Sequence, residues 1–289
     1  MSAALEFKGI TKNYKGFTLD PATFELPNGY IMGLIGPNGA GKTTLIKLVL
    51  NLIRANAGTI RVFGLDHLEH EKQIKARIGY VPDEPKFYED IALKNLKLAT
   101  APFYPRWDDG RFDALIDAFD LPLNKKFKKL SQGQKTKFAL ALALSQGADL
   151  LILDEPTAGL DPAFRRELLK MLGELLHNEK TSVLFSTHLT ADLERIADFI
   201  TFIRDGRIVF STSKEVVLDR FVLVKGGREV LDATSRGLFD GIRMHSHGFE
   251  GLTSRADDVR QRLGDRVVIE RASLDDVMVL MERKVEHAA

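Results

Sequence analysis

The sequence predicts an α/β fold, and three observations carry that prediction. Apolar runs of strand type alternate with helical patterns along most of the chain. One such run, "YIMGLIG", leads through a glycine-rich loop into a helix. A second, "LLILDE" at 150–155, is apolar until it ends in two acids. Continuous apolar runs of that length suit strands buried on both faces of a parallel sheet.

The elements follow in order. The opening reads as β: "ATFEL" and "YIMGLIG" flank Pro27-Asn28-Gly29, and Asn-Gly suits a tight turn between antiparallel strands. The helix after the glycine-rich loop places Leu45, Leu48, Val49 and Leu52 on one face. "GTIRVFG" and "RIGYVP" alternate as strands, and from about residue 86 to 147 the pattern is mainly helical. "LLILDE" returns to strand, a helix follows, and "TSVLFSTH" is strand again. "FITFIRDGRIVF" closes this part as a hairpin on Asp205-Gly206. Strand and helix in alternation, with one helical insertion, define a first domain at 1–211. Residues 212–289 read as a small separate α+β unit, in which "FVLVKGG" and "DRVVIE" are strands and Ser273 caps a last helix beginning "SLDD".

Bulk composition narrows the classes. The chain has 289 residues, 44% hydrophobic and 28% charged, which suits one large domain with an appendage. A formal net charge of +1 argues against bulk attraction to nucleic acid or to an acidic membrane. Cysteine is absent, so disulfides and thiolate metal sites are excluded, in keeping with a reducing cytosol. The N-terminal "MSAALEFKGITKNYKG" lacks the apolar core of a signal peptide. No run reaches the roughly 18 uninterrupted apolar residues of a membrane helix. A chain soluble by itself is expected.

"GPNGAGKT" fits G-x-x-x-x-G-K-[ST] at Gly36, Gly41, Lys42 and Thr43, with a strand before it and a helix after it. Glycines let successive backbone N–H groups turn inward toward phosphate oxygens, and the helix start adds its positive dipole end. Pro37, Asn38, Gly39, Ala40 and Thr44 complete the expected nucleotide loop. Lys42 bridges the outer phosphates, and the Thr43 hydroxyl is placed to ligate Mg²⁺. Asp154 and Glu155 stand at the C-terminal end of a strand, where parallel sheets bind ligands. Asp154 is expected to hold the metal, and Glu155, projecting differently, to polarise a water for attack on the γ-phosphate.

With "LSQGQ" at 130–134 shortly before "LLILDEPTAGLD", the chain resembles the ATP-binding subunits of ABC transporters over about residues 5–212. That family carries L-S-G-G-Q in this place. Ser131 and Gln134 stand as S-x-x-Q before an alanine- and leucine-rich helix, a capping-box pattern whose helix start is a second anion site. The resemblance implies a P-loop NTPase core of ABC type, with an antiparallel β subdomain, the helical insertion and the small C-terminal α+β extension. It also implies two subunits packed head to tail, each ATP between one phosphate loop and the partner's Ser131, Gly133 and Gln134.

Further positions carry over one by one. Tyr14 matches the aromatic that stacks on adenine, although a lone Tyr after a strand is as often a packing residue. "TAGLD" matches the loop that communicates across the dimer, with Asp161 its acid. His188, ending "LFSTH", matches the histidine at the γ-phosphate, so Glu155, His188 and Lys42 form the expected catalytic set. The histidines of "HLEH" and "HSH" are assigned to the surface, and the basic "NKKFKK" to a solvated loop.

Two departures stand out. Asp83 takes the place where the family usually has Gln, and its carboxylate is assigned to the metal directly or through water, with Thr43 and Asp154. Gln132 replaces the first signature glycine, while Gly133 is kept.

The resemblance finally implies ATP and Mg²⁺ as cofactors, and a second copy or a homologous ATPase subunit as partner. A separate integral membrane permease would dock beside Asp83 to Trp107, holding the chain at the inner face of the membrane. No nucleic acid partner is expected. Motif order and the short insertion look like exporter subunits for drugs, antimicrobial peptides or other amphipathic cargo. The alternatives are an importer ATPase or an ABC-type ATPase acting on nucleic acid or the ribosome. The role of the tail stays open between dimer stabilisation, regulation and packing.

Overall fold

A computed structural model describes residues 3–179 and 181–282. β1 (Ala3–Tyr14) and β2 (Phe17–Pro27) pair antiparallel, and β3 (Ile31–Ile35) runs through the glycine-rich loop into α1 (Lys42–Val49). β4 (Ala57–Val62) and β5 (Leu65–Asp66) return to the first strands and complete a four-stranded sheet of order β2-β1-β4-β5. α2 (Glu71–Lys75) precedes β6 (Ile78–Val81). The helical insertion follows as α3 (Leu93–Thr100), α4 (Asp109–Ala118) and α5 (Gln132–Ser145).

The central sheet then fills in. β7 (Leu150–Asp154), α6 (Pro162–Glu179), β8 (Ser182–Thr187), α7 (Thr190–Ile196), β9 (Phe199–Arg204) and β10 (Arg207–Ser213) give a six-stranded sheet of order β10-β9-β3-β8-β7-β6. β3, β6, β7, β8 and β9 run parallel to their neighbours, and β10 is antiparallel at the edge. α8 (Lys214–Arg220) leads to β11 (Val222–Gly226), α9 (Ala233–Arg236), β12 (Gly241–Met244) and β13 (Phe249–Thr253). α10 (Ala256–Leu263), β14 (Val267–Arg271) and α11 (Leu274–Glu282) end the described chain, and their sheet has the order β12-β13-β11-β14.

Every residue of β3, β7 and β8 is buried, because the central sheet separates two apolar cores. Ile31, Leu151, Val183 and Phe202 face the core shared with the helical insertion. Met32, Leu150, Leu184 and Ile203 face the core shared with α1 and the first sheet. Alternate residues thus serve opposite faces, which explains runs without a polar gap.

The structure departs from the sequence reading in three places. Asn28-Gly29 does make a turn, with Gly29 at φ 78°, but β2 and β3 are not a hairpin. The turn passes the chain from the first sheet to the central one, where β3 finds parallel partners on both sides. Leu52 is 58% exposed, since α1 ends at Val49 and Asn51 turns to φ 54°, so the helical phase is lost before Leu52. His67 is buried rather than at the surface. Its Nδ1 lies 3.1 Å from the Ile60 carbonyl, and burial lowers its pKa below the usual value.

The extension shares core with the rest of the molecule. Leu223, Leu252, Leu274, Val277 and Leu280 lie in one apolar cluster with Phe185, Leu193 and Phe202. A smaller cluster around Val224, Phe239 and Phe249 belongs to the extension alone.

Candidate functional site

β3 delivers the glycine-rich loop to the C-terminal edge of the central sheet. Gly36 sits at φ 155°, and a Cβ there would lie 2.1 Å from the Ile203 carbonyl oxygen, so the loop can leave β3 only through glycine. Ala40 is buried, and its carbonyl accepts from Gly206 N at 3.0 Å, which fastens the loop to the β9–β10 turn. Lys42 is turned back under the loop. Its Nζ donates to the carbonyls of Gly36 at 2.6 Å and Pro37 at 3.3 Å, and lies 3.8 Å from Glu155 Oε1.

The loop borders a cleft of about 290 Å³. Tyr14 and Phe17 line one end, their ring centroids 6.4 Å apart, and Asp83, Asp154 and Glu155 line the other. Pro37, Asn38, Gly39, Gly41, Lys42, Thr43 and Thr44 form the floor between them. Gly36 and Ala40, also expected to bind, stand behind this floor rather than in it. Phe17 escaped the sequence reading; its signal was the position just past the Lys15-Gly16 turn, opposite Tyr14 in the β1–β2 register.

The acid end is built by β6, β7 and β8. Asp154 ends β7, is 2% exposed, and accepts from Thr43 Oγ1 at 3.0 Å through one oxygen. Its other oxygen, Oδ1, is buried without a hydrogen-bond partner. Asp83 follows β6, and burial together with the Asp154 charge raises its pKa. The same causes, burial first, push the Tyr80 phenol up to about 12. A buried carboxylate oxygen with no donor, beside a second desolvated carboxylate and a hydroxyl, is a hard oxygen set short of a cation. Mg²⁺ fits it. Among the described residues no three His, Cys, Asp or Glu side chains gather in metal-binding geometry, so phosphate oxygens and water would complete the shell.

Glu155 projects away from Asp154 because its backbone is left-handed, at φ 49°. That conformation is uncommon outside glycine and is held here by Glu155 N donating to Ser186 O at 2.9 Å. The carboxylate meets His188, whose Nδ1 lies 2.8 Å from Glu155 Oε2. Lys42, Glu155 and His188 are therefore brought together.

The remaining expected residues stand elsewhere on the chain. Ser131 caps α5 in a reciprocal capping box with Gln134, the two bonds at 3.1 and 3.2 Å. Gly133 follows it, beside Gly159. Asp161 accepts from Phe164 N and Ala163 N at the start of α6, and the Phe164 bond is the main cause of its lowered pKa. None of these four lines the cleft of its own chain. One network was not foreseen: Asp192, 2% exposed, accepts from Thr157 Oγ1 and from Arg165 Nε, each at 2.7 Å. Those residues are far apart in sequence, and no local pattern marks them.

The family described as "ABC transporter" matches residues 19–158. The bacitracin transport ATP-binding protein BcrA of Bacillus licheniformis is 30% identical over 80% of this chain and 75% of its own. The Nod factor export ATP-binding protein I of Mesorhizobium japonicum is 28% identical, covering 99% of this chain and 88% of its own. Among solved structures, an ATP-binding subunit of an ABC transporter superposes with a TM-score of 0.71 at 25% identity, over 97% of this chain and all of that one.

Proposed function

The chain belongs to the ATP-binding subunits of ABC transporters, an ATP-hydrolysing family, and on that footing we propose that it drives an exporter by closing ATP between two copies of itself or a homologous subunit. The observation that carries this reading is the division of the site. Lys42, Thr43, Asp154 and Glu155 share one cleft, whereas the capped start of α5 lies outside it. A second chain, related by a two-fold axis, supplies the missing anion site.

In this reading residues 1–211 are the ATPase domain and 212–289 an appended unit. The loop N–H groups hold the phosphates, and the Lys42 ammonium moves from the Gly36 and Pro37 carbonyls to the outer phosphate oxygens. Tyr14 and Phe17 flank adenine. Thr43, Asp154 and Asp83 would hold Mg²⁺, which when bound would neutralise phosphate charge. Glu155 takes the proton of the attacking water, and His188 keeps that carboxylate oriented while its other ring nitrogen reaches the γ-phosphate. Ser131, Gly133 and Gln134 of the second copy close over the same phosphate, and Asp161 meets the partner across the interface. Loss of the γ-phosphate removes the shared ligand and opens the pair.

No described helix is long and apolar enough to cross a membrane; in this reading the path for cargo lies in a separate permease. A groove of about 800 Å³ between Leu68–Ala76 and Pro102–Pro105 is a fitting seat for it, with Phe103 77% exposed on its rim. Phe87 and Trp107 of the Asp83–Trp107 stretch pack against the core. Bound there, the chain sits at the inner face of the membrane. The relatives named for bacitracin transport and Nod factor export support an amphipathic cargo.

Glu155→Gln tests the reaction. It keeps ATP binding, lowers turnover by about a hundredfold or more, and leaves an ATP-dependent dimer visible by size exclusion. Hydrolysis at the normal rate removes Glu155 from the mechanism.

A further inference from the structure

α7 begins at Thr190, two residues after His188, and is seven residues long. A helix so short has little stability of its own, and its N-cap, Leu189, offers no side-chain cap. Its position is set by contacts from outside: Asp192 in its first turn is held by Thr157 and Arg165, and two further bonds come from the extension. Thr190 is buried, and its Oγ1 donates to Asp275 Oδ1 at 3.0 Å. One turn on, Glu194 Oε1 accepts from Leu274 N at 2.7 Å. The two anchors from the extension come from the first turn of α11, which Ser273 and Asp276 lock by reciprocal bonds.

The far end of α11 is also tied. Arg204 donates to the Met281 carbonyl, and Arg204 ends β9 beside the turn that holds Ala40 of the glycine-rich loop. Leu274, Val277 and Leu280 are buried between these ends. The last described helix is therefore tied at one end to α7 and at the other to Arg204, next to the turn that holds the loop.

We propose that Asp275, in the C-terminal extension, is a positioning residue for hydrolysis: through Thr190 it fixes the first turn of α7 and so holds His188 on Glu155. The inference rests on the reading of Glu155 and His188 as the hydrolytic pair. His188 is 46% exposed at its side chain and meets Glu155 through its ring and, at 3.4 Å, through its backbone N, so a shift of the backbone that carries it moves both contacts. Removing the Asp275 carboxylate leaves the buried Thr190 hydroxyl without its acceptor, so the turn loses the anchor nearest in sequence to His188 while Asp192 keeps its own bonds to Thr157 and Arg165.

The test uses the full chain with ATP and Mg²⁺. Asp275→Ala lowers kcat about tenfold, the scale of one hydrogen bond to a charged acceptor felt in the transition state. KM for ATP stays within about twofold, because the nucleotide floor is untouched. Asp275→Asn, which keeps Oδ1 as an acceptor, restores most of the rate, and Thr190→Val reproduces the loss should the alanine variant fail to fold. In a His188→Ala background, Asp275→Ala adds nothing further. An equal loss with and without His188, or full kcat in both Asp275→Ala and Thr190→Val, overturns the proposal. The His188 ring-proton resonance separates the two layers. If Asp275→Ala and Thr190→Val leave it unmoved, the brace is refuted alone; full activity of His188→Ala refutes the hydrolytic reading and the predicted rate effect with it.

Discussion

Gly206 joins three parts of the nucleotide site, and its replacement by alanine has a calculable cost. Its N–H donates to the Ala40 carbonyl at 3.0 Å, and its own carbonyl accepts from Asp20 N at 2.9 Å. The residue sits at φ 77°, and a Cβ would fall 1.9 Å from the Thr18 carbonyl oxygen. A backbone oxygen cannot swing aside as a side-chain tip can, so the β9–β10 turn must lift off β2. The left-handed conformation costs alanine about 1–2 kcal/mol. A stiffer unfolded chain offsets about 0.4–1 of this. Loss of the two backbone bonds adds about 1 kcal/mol each. The net is a destabilisation of about 2–3.6 kcal/mol, with ATP affinity reduced as well, because Ala40 is part of the loop and Thr18 adjoins Phe17. Urea unfolding and nucleotide titration of Gly206→Ala measure both. Gly173→Ala is the control: it lies within α6 and a Cβ there meets nothing within 4 Å, so it stabilises by up to about 1 kcal/mol. Wild-type stability and affinity in Gly206→Ala would refute the view that the turn clamps the loop.

Two further outcomes concern charge. Burial works to raise the Asp149 carboxyl, but hydrogen bonds from Arg106 at 2.9 Å and Arg77 at 2.6 Å outweigh it, and its pKa is lowered in the folded chain. A depressed folded pKa stabilises above the unfolded value and is lost as pH falls through the folded one. Asp149→Asn should therefore lower the urea midpoint at pH 7 and flatten its decline below about pH 4; parallel pH profiles for the two proteins would contradict this. Asp83 has the opposite sign: burial, then Asp154, raises its pKa, so its ionised form weakens the fold at neutral pH. Asp83→Asn should raise the melting temperature without nucleotide while increasing the Mg²⁺ concentration that ATP hydrolysis needs. A lower melting temperature would show that the carboxylate is satisfied in some other way.

The sequence announced those local structures whose residues are contiguous. The loop from Gly36 to Thr44, the pair Asp154-Glu155 and the capping box of Ser131 and Gln134 are each written within a few residues, and local backbone geometry follows from them. The left-handed φ of Glu155 was not legible, since it depends on Ser186 from a neighbouring strand. The partition of β2 and β3 between two sheets was hidden for a similar reason: an Asn-Gly turn reports a change of direction, not which sheet receives the chain. β12 and β13 are short and carry glycine, so their alternation is too weak to read alone. Asp192, Asp275 and the Leu68–Ala76 wall of the groove depend on long-range packing that no periodicity encodes. His67 shows the limit from the other side. A histidine without metal-site partners reads as a surface residue, yet His67 is folded under β4, where burial lowers its pKa.

The absence of cysteine from this chain allows the central claim to be measured directly. Asn38→Cys lies on the floor of the cleft and Gln132→Cys in the first turn of α5, so a short bismaleimide reports their approach in trans. With both substitutions in a Glu155→Gln chain, ATP and Mg²⁺ should convert the protein to a covalent dimer, and ADP should not. If ATP yields no dimer at saturating concentration, or if the yield is the same without nucleotide, the triphosphate is not what joins the two copies.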